Sequence, residues 1–405
     1  MELKPGYKRT DAGIIPSDWD AVPLGNIGDA LIGLTYRPED VRPHGTLVLR
    51  ASNIQNDKLA FDDNVYVGVE VPEQIMVRPG DVLICVRNGS RNLIGKAALL
   101  DERCVGMTFG AFMAVHRGQD GRLVNYLFQS NILKRQINEH LGATINQITN
   151  RSLNAFCIPL PPTESERESI GTTLNDVDAL LDGLDRLIAK KRDLKQATMQ
   201  ELLTGRNRLP GFSDEWTMKR LDQLAKIVMG QSPDSKYYNR VGDGVPLIQG
   251  NADIVGRRSV ARVWTRKVSK PGQSGDILLT VRAPVGEVSI ASEDCCLGRG
   301  VCALRAIGDQ AFLFHALVFA EAVWRVLEQG STFTAANSAQ VAAFSVRVPR
   351  SETEQAAIAE VLSGLDAEIA ALEARRDKTR LVKQAMMQEL LTGRTRLVDA
   401  KGARV

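Results

Sequence analysis

The chain has 405 residues, more than one average domain, and 44% of them are hydrophobic, so it can bury substantial cores. The 51 lysines and arginines barely outnumber the 48 acidic residues, so the charge permits a polyanionic partner only through local basic patches. No apolar run approaches the roughly 18 residues of a membrane helix and the first residues are polar, so we expect a cytoplasmic protein of two domains without a membrane partner.

The first segment, residues 1–162, is typical of a globular α+β domain, because short strand-like runs and turn residues replace helical periodicity. Its clearest strand begins at Pro79-Gly-Asp81. The loop after that strand, Arg87-Asn-Gly-Ser-Arg91, offers guanidiniums suited to guanine O6 and N7 and an amide suited to adenine. A solvated hairpin loop is the alternative interpretation of the same residues.

A second polar stretch, residues 142–151, is rich in hydroxyl and amide side chains. Such groups contact phosphates and base edges, although they also form ordinary turns and caps. An Asn-Ile pair earlier in the domain has a counterpart in the second half of the chain. The candidate DNA contacts of the first half are Asn53, Arg87, Asn88, Arg91, Thr144, Asn146, Gln147 and Asn150.

Residues 163–205 are predicted to form one long helix of roughly 60 Å. Thr163-x-x-Glu166 is a capping box, and Gly205 suits the left-handed position after the last turn. Apolar residues inside the segment step alternately by four and three, which indicates a coiled-coil seam. The seam residues are Ile170, Leu174, Val177, Leu181, Leu184 and Ile188.

The next segment, residues 206–350, repeats landmarks of the first, so we expect a second α+β domain. Trp216, Leu221 and Gly230 match residues 197 positions earlier, and Ser274-Gly-Asp276 opens the second copy of the Gly-Asp strand. Between the landmarks the two halves differ strongly. The candidate DNA contacts of this half, taken from the corresponding loops, are Asn251, Arg282, Thr332, Thr334, Asn337 and Ser338.

Residues 351–393 nearly copy the first helix, and residues 394–405 form a tail. Gln200-Glu-Leu-Leu-Thr-Gly-Arg206 returns unchanged 188 positions later, Ser351-x-x-Glu354 repeats the capping box, and Gly393 repeats the terminal glycine. The second seam consists of Ile358, Leu362, Leu365, Ile369 and Leu372. We expect the two seams to pack as an antiparallel coiled coil with internal pseudo-two-fold symmetry.

Both helices begin acidic and end basic. Complementing the helix dipole and keeping the surface polar is one explanation, and contact with DNA phosphates is the other. The basic residues concerned are Lys190, Lys191, Arg192, Lys195, Arg375, Arg376, Lys378, Arg380 and Lys383.

The sequence contains no complete catalytic or metal-binding motif among those considered. An Asn/Asp-Pro-Pro-aromatic motif and a cofactor-binding glycine turn are both absent. The phosphate-loop-like run from Gly89 to Ala97 has the wrong spacing between its glycines, and Ala97 stands where a magnesium-binding hydroxyl belongs. The six cysteines include no Cys-x-x-Cys pair and the four histidines are scattered, so we expect buried free thiols and no metal.

A repeated scaffold with two dissimilar surfaces suits a long, quasi-periodic ligand whose contacted segments differ, and duplex DNA is the obvious one. The rival hypothesis is a coiled-coil scaffold that joins protein partners without reading DNA. A stand-alone DNA-modifying enzyme is a second rival. In the DNA-reading hypothesis, specificity lies where the two copies of the repeat differ.

Together, the two variable domains, the near-identical helices and the Gln-Glu-Leu-Leu-Thr-Gly-Arg repeat resemble the specificity subunits of type I restriction-modification systems. The resemblance covers essentially the whole chain, including the opening at residues 6–19, the start of the second half at residues 209–216 and the approach to the first helix at residues 158–164.

The resemblance implies a non-catalytic subunit with target-recognition domains at residues 1–162 and 206–350. Each domain is expected to read one half of a split, asymmetric site in double-stranded DNA, with the helices setting the unread gap. The resemblance also implies docking of two methyltransferase subunits and of restriction subunits. S-adenosylmethionine, ATP and Mg²⁺ are then expected on those partners, and no cofactor on this chain.

Overall fold

The computed structural model describes residues 5–143, 146–324 and 335–398, which form two compact units. Unit 1 comprises Met1–Leu184 with Arg375–Val405, and unit 2 comprises Asp185–Ala374. Each long helix therefore contributes one portion to each unit. None of the helices in the described ranges is both long enough and apolar enough to cross a membrane.

Unit 1 contains fourteen strands and three short helices in its described globular part. The strands are β1 (Tyr7–Thr10), β2 (Gly13–Pro16), β3 (Asp20–Pro23), β4 (Gly28–Ile32), β5 (Val41–Arg42), β6 (Thr46–Leu49), β7 (Ile54–Gln55), β8 (Lys58–Leu59), β9 (Tyr66–Val67), β10 (Val82–Cys85), β11 (Ala97–Leu99), β12 (Thr108–Phe109), β13 (Met113–Gly118) and β14 (Cys157–Leu160). The helices are α1 (Gly121–Gln129), α2 (Asn131–Ala143) and α3 (Asn150–Ala155).

The central strand of unit 1 is β10, the strand that begins after Gly-Asp. It pairs antiparallel with β11 and β13 in a sheet of order β11-β10-β13-β4, and a second sheet has the order β12-β6-β9-β5. All four residues of β10 are buried. Val82 and Ile84 belong to one hydrophobic core, and Leu83 and Cys85 belong to another, so the strand is covered on both faces and its sequence is continuously apolar.

Unit 2 repeats this plan with differences at its edges. Its strands are β15 (Trp216–Arg220), β16 (Ala225–Met229), β17 (Tyr238–Asn239), β18 (Val245–Ile248), β19 (Ile254–Val255), β20 (Arg258–Ser259), β21 (Trp264–Thr265), β22 (Pro271–Gly272), β23 (Ile277–Thr280), β24 (Val288–Ile290), β25 (Cys295–Leu297), β26 (Val301–Ala306) and β27 (Ser345–Pro349). Its described short helices are α5 (Leu221–Leu224), α6 (Gln310–Phe319) and α7 (Ser338–Ala343).

The second Gly-Asp strand, β23, is the counterpart of β10. It pairs antiparallel with β24 and β26, within a sheet of order β16-β26-β23-β24-β20-β19, and its four residues are buried. The aspartate before each strand is buried as well. Asp81 binds Arg117 at 2.7 Å, and Asp276 binds Arg305 at 2.7 Å. The repeated Gly-Asp thus marks an internal ion pair that fastens the strand to its neighbour.

The two long helices are α4 (Glu164–Leu202) and α8 (Glu352–Leu390), each of 39 residues. The hydroxyl predicted at the start of each helix is confirmed. Thr163 and Ser351 each accept a hydrogen bond from the backbone amide three residues later, at 3.3 Å. Gly205 and Gly393 have φ values of 67° and 66°, which only glycine adopts readily.

The other half of each predicted capping box is wrong. The Glu166 and Glu354 side chains are fully buried and bind arginines instead of the helix-start amides. Arg396 Nη2 donates to Glu166 Oε2 at 2.7 Å in unit 1, and Arg208 Nη2 donates to Glu354 Oε2 at 2.7 Å in unit 2. The chain just beyond one helix therefore anchors the start of the other.

Apolar seam residues lie inside both units. Ile170 and Leu174 share a core with Met387 and Leu390 in unit 1, and Met199 shares a core with Ile358 and Leu362 in unit 2. Ion pairs join the same helix portions. These are Lys383–Asp178 at 2.7 Å in unit 1, and Lys191–Glu368 at 2.7 Å and Lys195–Asp366 at 2.5 Å in unit 2.

Candidate nucleic-acid interface

The two polar stretches predicted to contact DNA in the first half lie side by side in unit 1. Arg87, just after β10, forms an antiparallel bridge with Gln147. The amide of Ile148 donates to the Val86 carbonyl at 2.8 Å, which fixes the second stretch against the end of the strand. The sequence separation between these stretches is large, so only the fold brings them together.

Unit 2 makes the same junction. Arg282, just after β23, forms an antiparallel bridge with Ala335, and the amide of Ala336 donates to the Val281 carbonyl at 2.8 Å. Each half therefore presents one exposed arginine at an equivalent position on the repeated scaffold. Thr144, Thr332 and Thr334, which were also predicted contacts, lie outside the described residues.

The loop after β10 is ordered by its own polar groups. The Asn88 side-chain oxygen accepts the Ser90 amide at 2.9 Å, which forms a tight turn. Arg91 is exposed and donates to the Asn138 carbonyl of α2 at 3.1 Å. Gln147 is half-buried and Asn146 is exposed beside it, so the amides of the second stretch reach solvent next to Arg87.

A groove of about 750 Å³ adjoins Arg87 and Asn88 in unit 1. Arg87 and Arg50 are its guanidinium-bearing residues, and the Phe112 ring lies beneath Arg87, whose Cζ is 5.1 Å from the ring centroid. The other lining residues include Leu34, Tyr36, Ser52, Asp63, Ala111 and Met113. Sequence inspection missed Phe112 and Tyr36, because a lone aromatic in a domain of this kind is usually part of the core.

Asn53 is not available to a ligand, which corrects its prediction as a DNA contact. Its side chain is fully buried, accepts the Arg50 amide at 2.9 Å and donates to the Ala60 carbonyl at 2.9 Å. The residue at this place in unit 2 is Asp253, which accepts the Gln249 amide at 2.8 Å. Asn251 is therefore not the counterpart of Asn53, and it lies half-buried two residues earlier.

Two further candidates have structural partners. The Asn150 amide donates to the Ala30 carbonyl at 2.8 Å, and Asn337 caps α7 by accepting the Gln340 amide at 2.9 Å. Ser338 is exposed at the start of the same helix. Asn150 and Asn337 thus hold the second stretch of each half in place, whatever else they contact.

Unit 2 carries an aromatic–basic cluster that sequence inspection also missed. The Lys236 and Lys267 ammonium groups lie 5.2 and 5.3 Å from the centre of the Tyr237 ring. Two lysines close to one tyrosine ring combine positive charge with apolar surface, which suits a polyanion. Lys267 comes from a separate loop, so spacing along the chain gave no signal.

Several basic residues of the long helices form ion pairs with carboxylates. Lys191, Lys195 and Lys383 pair with acidic residues of the other helix as given above, and Arg192 pairs with Glu373. These side chains hold helix to helix, so phosphate contact is not needed to explain them.

Burial favours the neutral form of the buried histidines and cysteines. Burial lowers the pKa of His315 to about 4, and burial likewise lowers the pKa of His116. Burial raises the pKa of the Cys302 thiol to about 12, and all six cysteines are free. Within the described ranges no group of three or more His, Cys, Asp or Glu side chains is placed to hold a metal ion.

Comparisons with known proteins match both halves. The family model described as the type I restriction modification DNA specificity domain matches residues 16–191 and again residues 213–380. A Methanocaldococcus jannaschii protein assigned to the MjaX type I restriction enzyme as its specificity subunit is 29% identical over 421 aligned residues, covering 96% of this chain and 97% of that protein.

Two other matches extend the comparison. The EcoKI type I restriction enzyme specificity subunit of Escherichia coli is 27% identical over 260 residues, 59% of this chain and 54% of that protein. The crystal structure of a type I restriction-modification S subunit from M. genitalium matches with a TM-score of 0.64 at 14% identity, covering 96% of this chain and 98% of that one, which shows a shared fold. The two ranges matched by the family model fall on the two halves of the internal repeat.

Proposed function

The chain belongs to the type I restriction-modification DNA specificity family, and from that membership we propose that it reads a DNA site composed of two different, separated halves. Specificity subunits of type I restriction systems are non-catalytic, and this chain is one of them. Its part in the system is DNA recognition, in company with methyltransferase and restriction subunits.

The observation that carries the proposal is the repeated junction of two polar stretches. In each half the end of the Gly-Asp strand bridges the polar stretch before a short helix, and an arginine is exposed at the junction. The backbone plan is copied while the side chains around Arg87 and Arg282 differ. Two different half-sites require the same backbone arrangement with different hydrogen-bond donors and acceptors on its side chains.

In the first half, we assign DNA contact to the residues that reach solvent at the junction: Arg87, Asn88, Arg91, Asn146 and Gln147. In the second half the corresponding set is Arg282 and Ser338, and DNA contact by the half-buried Asn251 is a separate proposal. Arginine grips guanine O6 and N7 with two hydrogen bonds, and an amide does the same for adenine N6 and N7. Asn150 and Asn337 support these residues from the start of their helices.

The unread gap between the half-sites is set by α4 and α8 packed as an antiparallel coiled coil. The ion pairs of unit 2 support the antiparallel direction. Lys191 pairs with Glu368 and Lys195 pairs with Asp366, so residue numbers decrease along α8 as they increase along α4. The two helices are copies of one segment repeated after 188 residues, as an internal pseudo-two-fold axis would require.

The functional segments in this scheme follow the repeat. Target-recognition domains occupy residues 1–162 and 206–350, the spacer helices occupy residues 163–205 and 351–393, and a tail follows at residues 394–405. The complex forms in the cytoplasm with two methyltransferase subunits, which bind S-adenosylmethionine and methylate adenine. Restriction subunits supply the ATP- and Mg²⁺-dependent steps, and this chain binds none of these cofactors.

The test is selection of DNA ligands by the full chain bound to its methyltransferase partner. Random duplexes retained at 150 mM salt are sequenced, since lower salt would favour contacts that carry no sequence information. Enrichment of one motif with two defined parts and a fixed undefined gap is expected. Retention without any enriched motif would reject DNA reading and favour a coiled-coil scaffold for protein partners.

A variant distinguishes the two halves in the same experiment. Arg282→Ala removes the exposed guanidinium of unit 2, and a relaxed base preference is expected in one half of the motif while the other half is unchanged. Arg240→Ala, which also removes an exposed arginine from unit 2 but away from the junction, is the matched control.

A further inference from the structure

Phe112 is an exposed aromatic residue held in a rigid position. It lies in the turn between β12 and β13, and 59% of its surface is exposed. Its carbonyl accepts two backbone amides, those of Val86 and Arg87, each at 3.1 Å. The ring is therefore displayed by a backbone that is tied directly to the end of the Gly-Asp strand.

The Arg87 guanidinium rests on this ring at 5.1 Å from its centroid. Within the part of the chain that the structure describes, no carboxylate forms an ion pair with Arg87. A cation–π contact of this kind restricts the arginine side chain while leaving its N–H edge free for an acceptor. The pair combines an apolar ring face with a fixed hydrogen-bond donor fork.

The surroundings suit the edge of a base in duplex DNA. Leu34 and Tyr36, both half-buried, contribute apolar surface to the groove of about 750 Å³ beside the pair. Arg50 contributes positive charge at the same groove, although it is partly engaged by Asp63 at 2.9 Å. In the major groove, guanine offers two acceptors to arginine, and thymine offers a methyl group to apolar side chains such as phenylalanine.

We infer that Phe112 determines specificity in the first half-site by receiving the 5-methyl group of a thymine, while Arg87, held on its ring, binds the adjacent guanine. The inference rests on the proposed function and adds the ligand chemistry of one of its two sites. Phe112 reads the methyl group, and it also positions Arg87.

Unit 2 has no counterpart of the Phe112–Arg87 pair, for a steric reason. The Val281 amide donates to the Gly300 carbonyl as the Val86 amide does to the Phe112 carbonyl, so Gly300 occupies the position of Phe112. A Cβ atom at Gly300 would lie 2.0 Å from the Gln249 carbonyl oxygen, so no side chain fits there. The thymine–guanine contact is therefore specific to the half-site read by unit 1.

The test compares thymine with uracil in the selected DNA, because uracil pairs identically and lacks only the 5-methyl group. With the full chain and its methyltransferase partner, replacing thymine by uracil in the first half-site is expected to weaken binding about fourfold, the usual effect of one buried methyl group. The same replacement in the second half-site gives the reference value.

Two variants separate the roles of the ring. Phe112→Ala is expected to bind thymine and uracil duplexes equally and to lose preference for the guanine. Phe112→Leu keeps an apolar contact, so it retains the thymine preference but relaxes the guanine preference. Val105→Ala removes another exposed apolar side chain of unit 1, 62% exposed, outside the groove, and is expected to behave as the parent chain.

The outcomes distinguish this inference from the proposed function. A split motif without a thymine beside a guanine in the first half, or equal affinity of the parent chain for thymine and uracil, would overturn the inference alone. Absence of any split motif would overturn the proposed function as well. Retained selection at the other positions of the first half-site shows that unit 1 of each variant remains folded.

Discussion

Two buried glutamates show how single residues secure the repeated parts of this chain. Glu166 and Glu354 are inaccessible to solvent, and each receives two guanidinium hydrogen bonds, from Arg396 and Arg208 respectively. A buried carboxylate that loses its partner is strongly destabilising, whereas replacement of both partners by apolar residues is often tolerated. Removal of either arginine is therefore expected to destabilise the unit that contains it.

Replacing Arg208 by alanine is expected to lower the free energy of unfolding of unit 2 by about 3–5 kcal/mol, because Glu354 then remains buried without a counter-ion. Urea unfolding measures the change. Arg206→Ala, two positions earlier and exposed, is expected to have little effect. The double variant Arg208→Met with Glu354→Met should recover much of the loss, and a loss as large as that of Arg208→Ala would contradict the ion-pair explanation.

His315 connects α6 to α8 and predicts how unit 2 responds to pH. Its Nε2 lies 3.1 Å from the Ser363 hydroxyl, and its Nδ1 lies 3.9 Å from Asp366, which in turn binds Lys195. Burial lowers the pKa of His315 from 6.5 to about 4 in the folded chain. Between these values the unfolded chain binds the additional proton, so the stability of unit 2 falls as the pH falls.

The expected loss is about 3 kcal/mol between pH 7 and pH 4, and it should be largely absent in His315→Gln. Tryptophan fluorescence in a Trp19→Phe background measures it, because the three remaining tryptophans belong to unit 2. His44→Gln, at an exposed histidine, is the control. An equal pH dependence in the His315→Gln variant would show that other groups are responsible.

At the scale of elements, the helices were the most predictable part and the loop contacts the least. Repeated apolar spacing, a hydroxyl at one end and a glycine at the other define α4 and α8 locally, so their bounds follow from nearby residues. The partners of Glu166 and Asp81 are set by tertiary packing across distant segments. Sequence therefore marks these carboxylates as notable but assigns Glu166 the wrong partner.

The candidate contact loops fall between these extremes. One loop was predicted directly after the Gly-Asp strand and the other at residues 142–151, and the structure brings them together through Arg87 and Gln147. Which side chains reach solvent was not predictable, because burial depends on residues far along the chain. Asn53 is buried for that reason, and Phe112 is exposed for the same reason.

Lengthening the helix pair tests its part in setting the gap. Four residues, one turn of about 6 Å, are inserted after Thr198 and at the matching position after Met386. The preferred gap is expected to change by about one to two base pairs while both half-sites keep their sequences. DNA selection measures the gap.

The control insertion has the same length but lies outside the helices. Four residues added after Val241, a highly exposed position in a turn of unit 2, should leave the gap unchanged. An unchanged gap in the helix variant itself would reject the idea that α4 and α8 determine the spacing.

At the scale of the whole molecule, the chain divides into copied and differing parts. The copied parts are the long helices, the ion pairs that anchor their ends and the Gly-Asp strands, which stabilise the fold. The differing parts surround Arg87 and Arg282, where one half has an aromatic ring and the other has Gly300. Each half of the recognised DNA site should therefore depend on one domain and be independent of the other domain.

Exchange of residues 1–162 for the corresponding domain of another specificity subunit tests that claim most directly. The hybrid is expressed with the methyltransferase partner in a host without other adenine methylation, and modified sites are determined by methylation sequencing. One half of the motif should change completely, and the other half and the gap should remain. A change in both halves would contradict independent reading by the two domains.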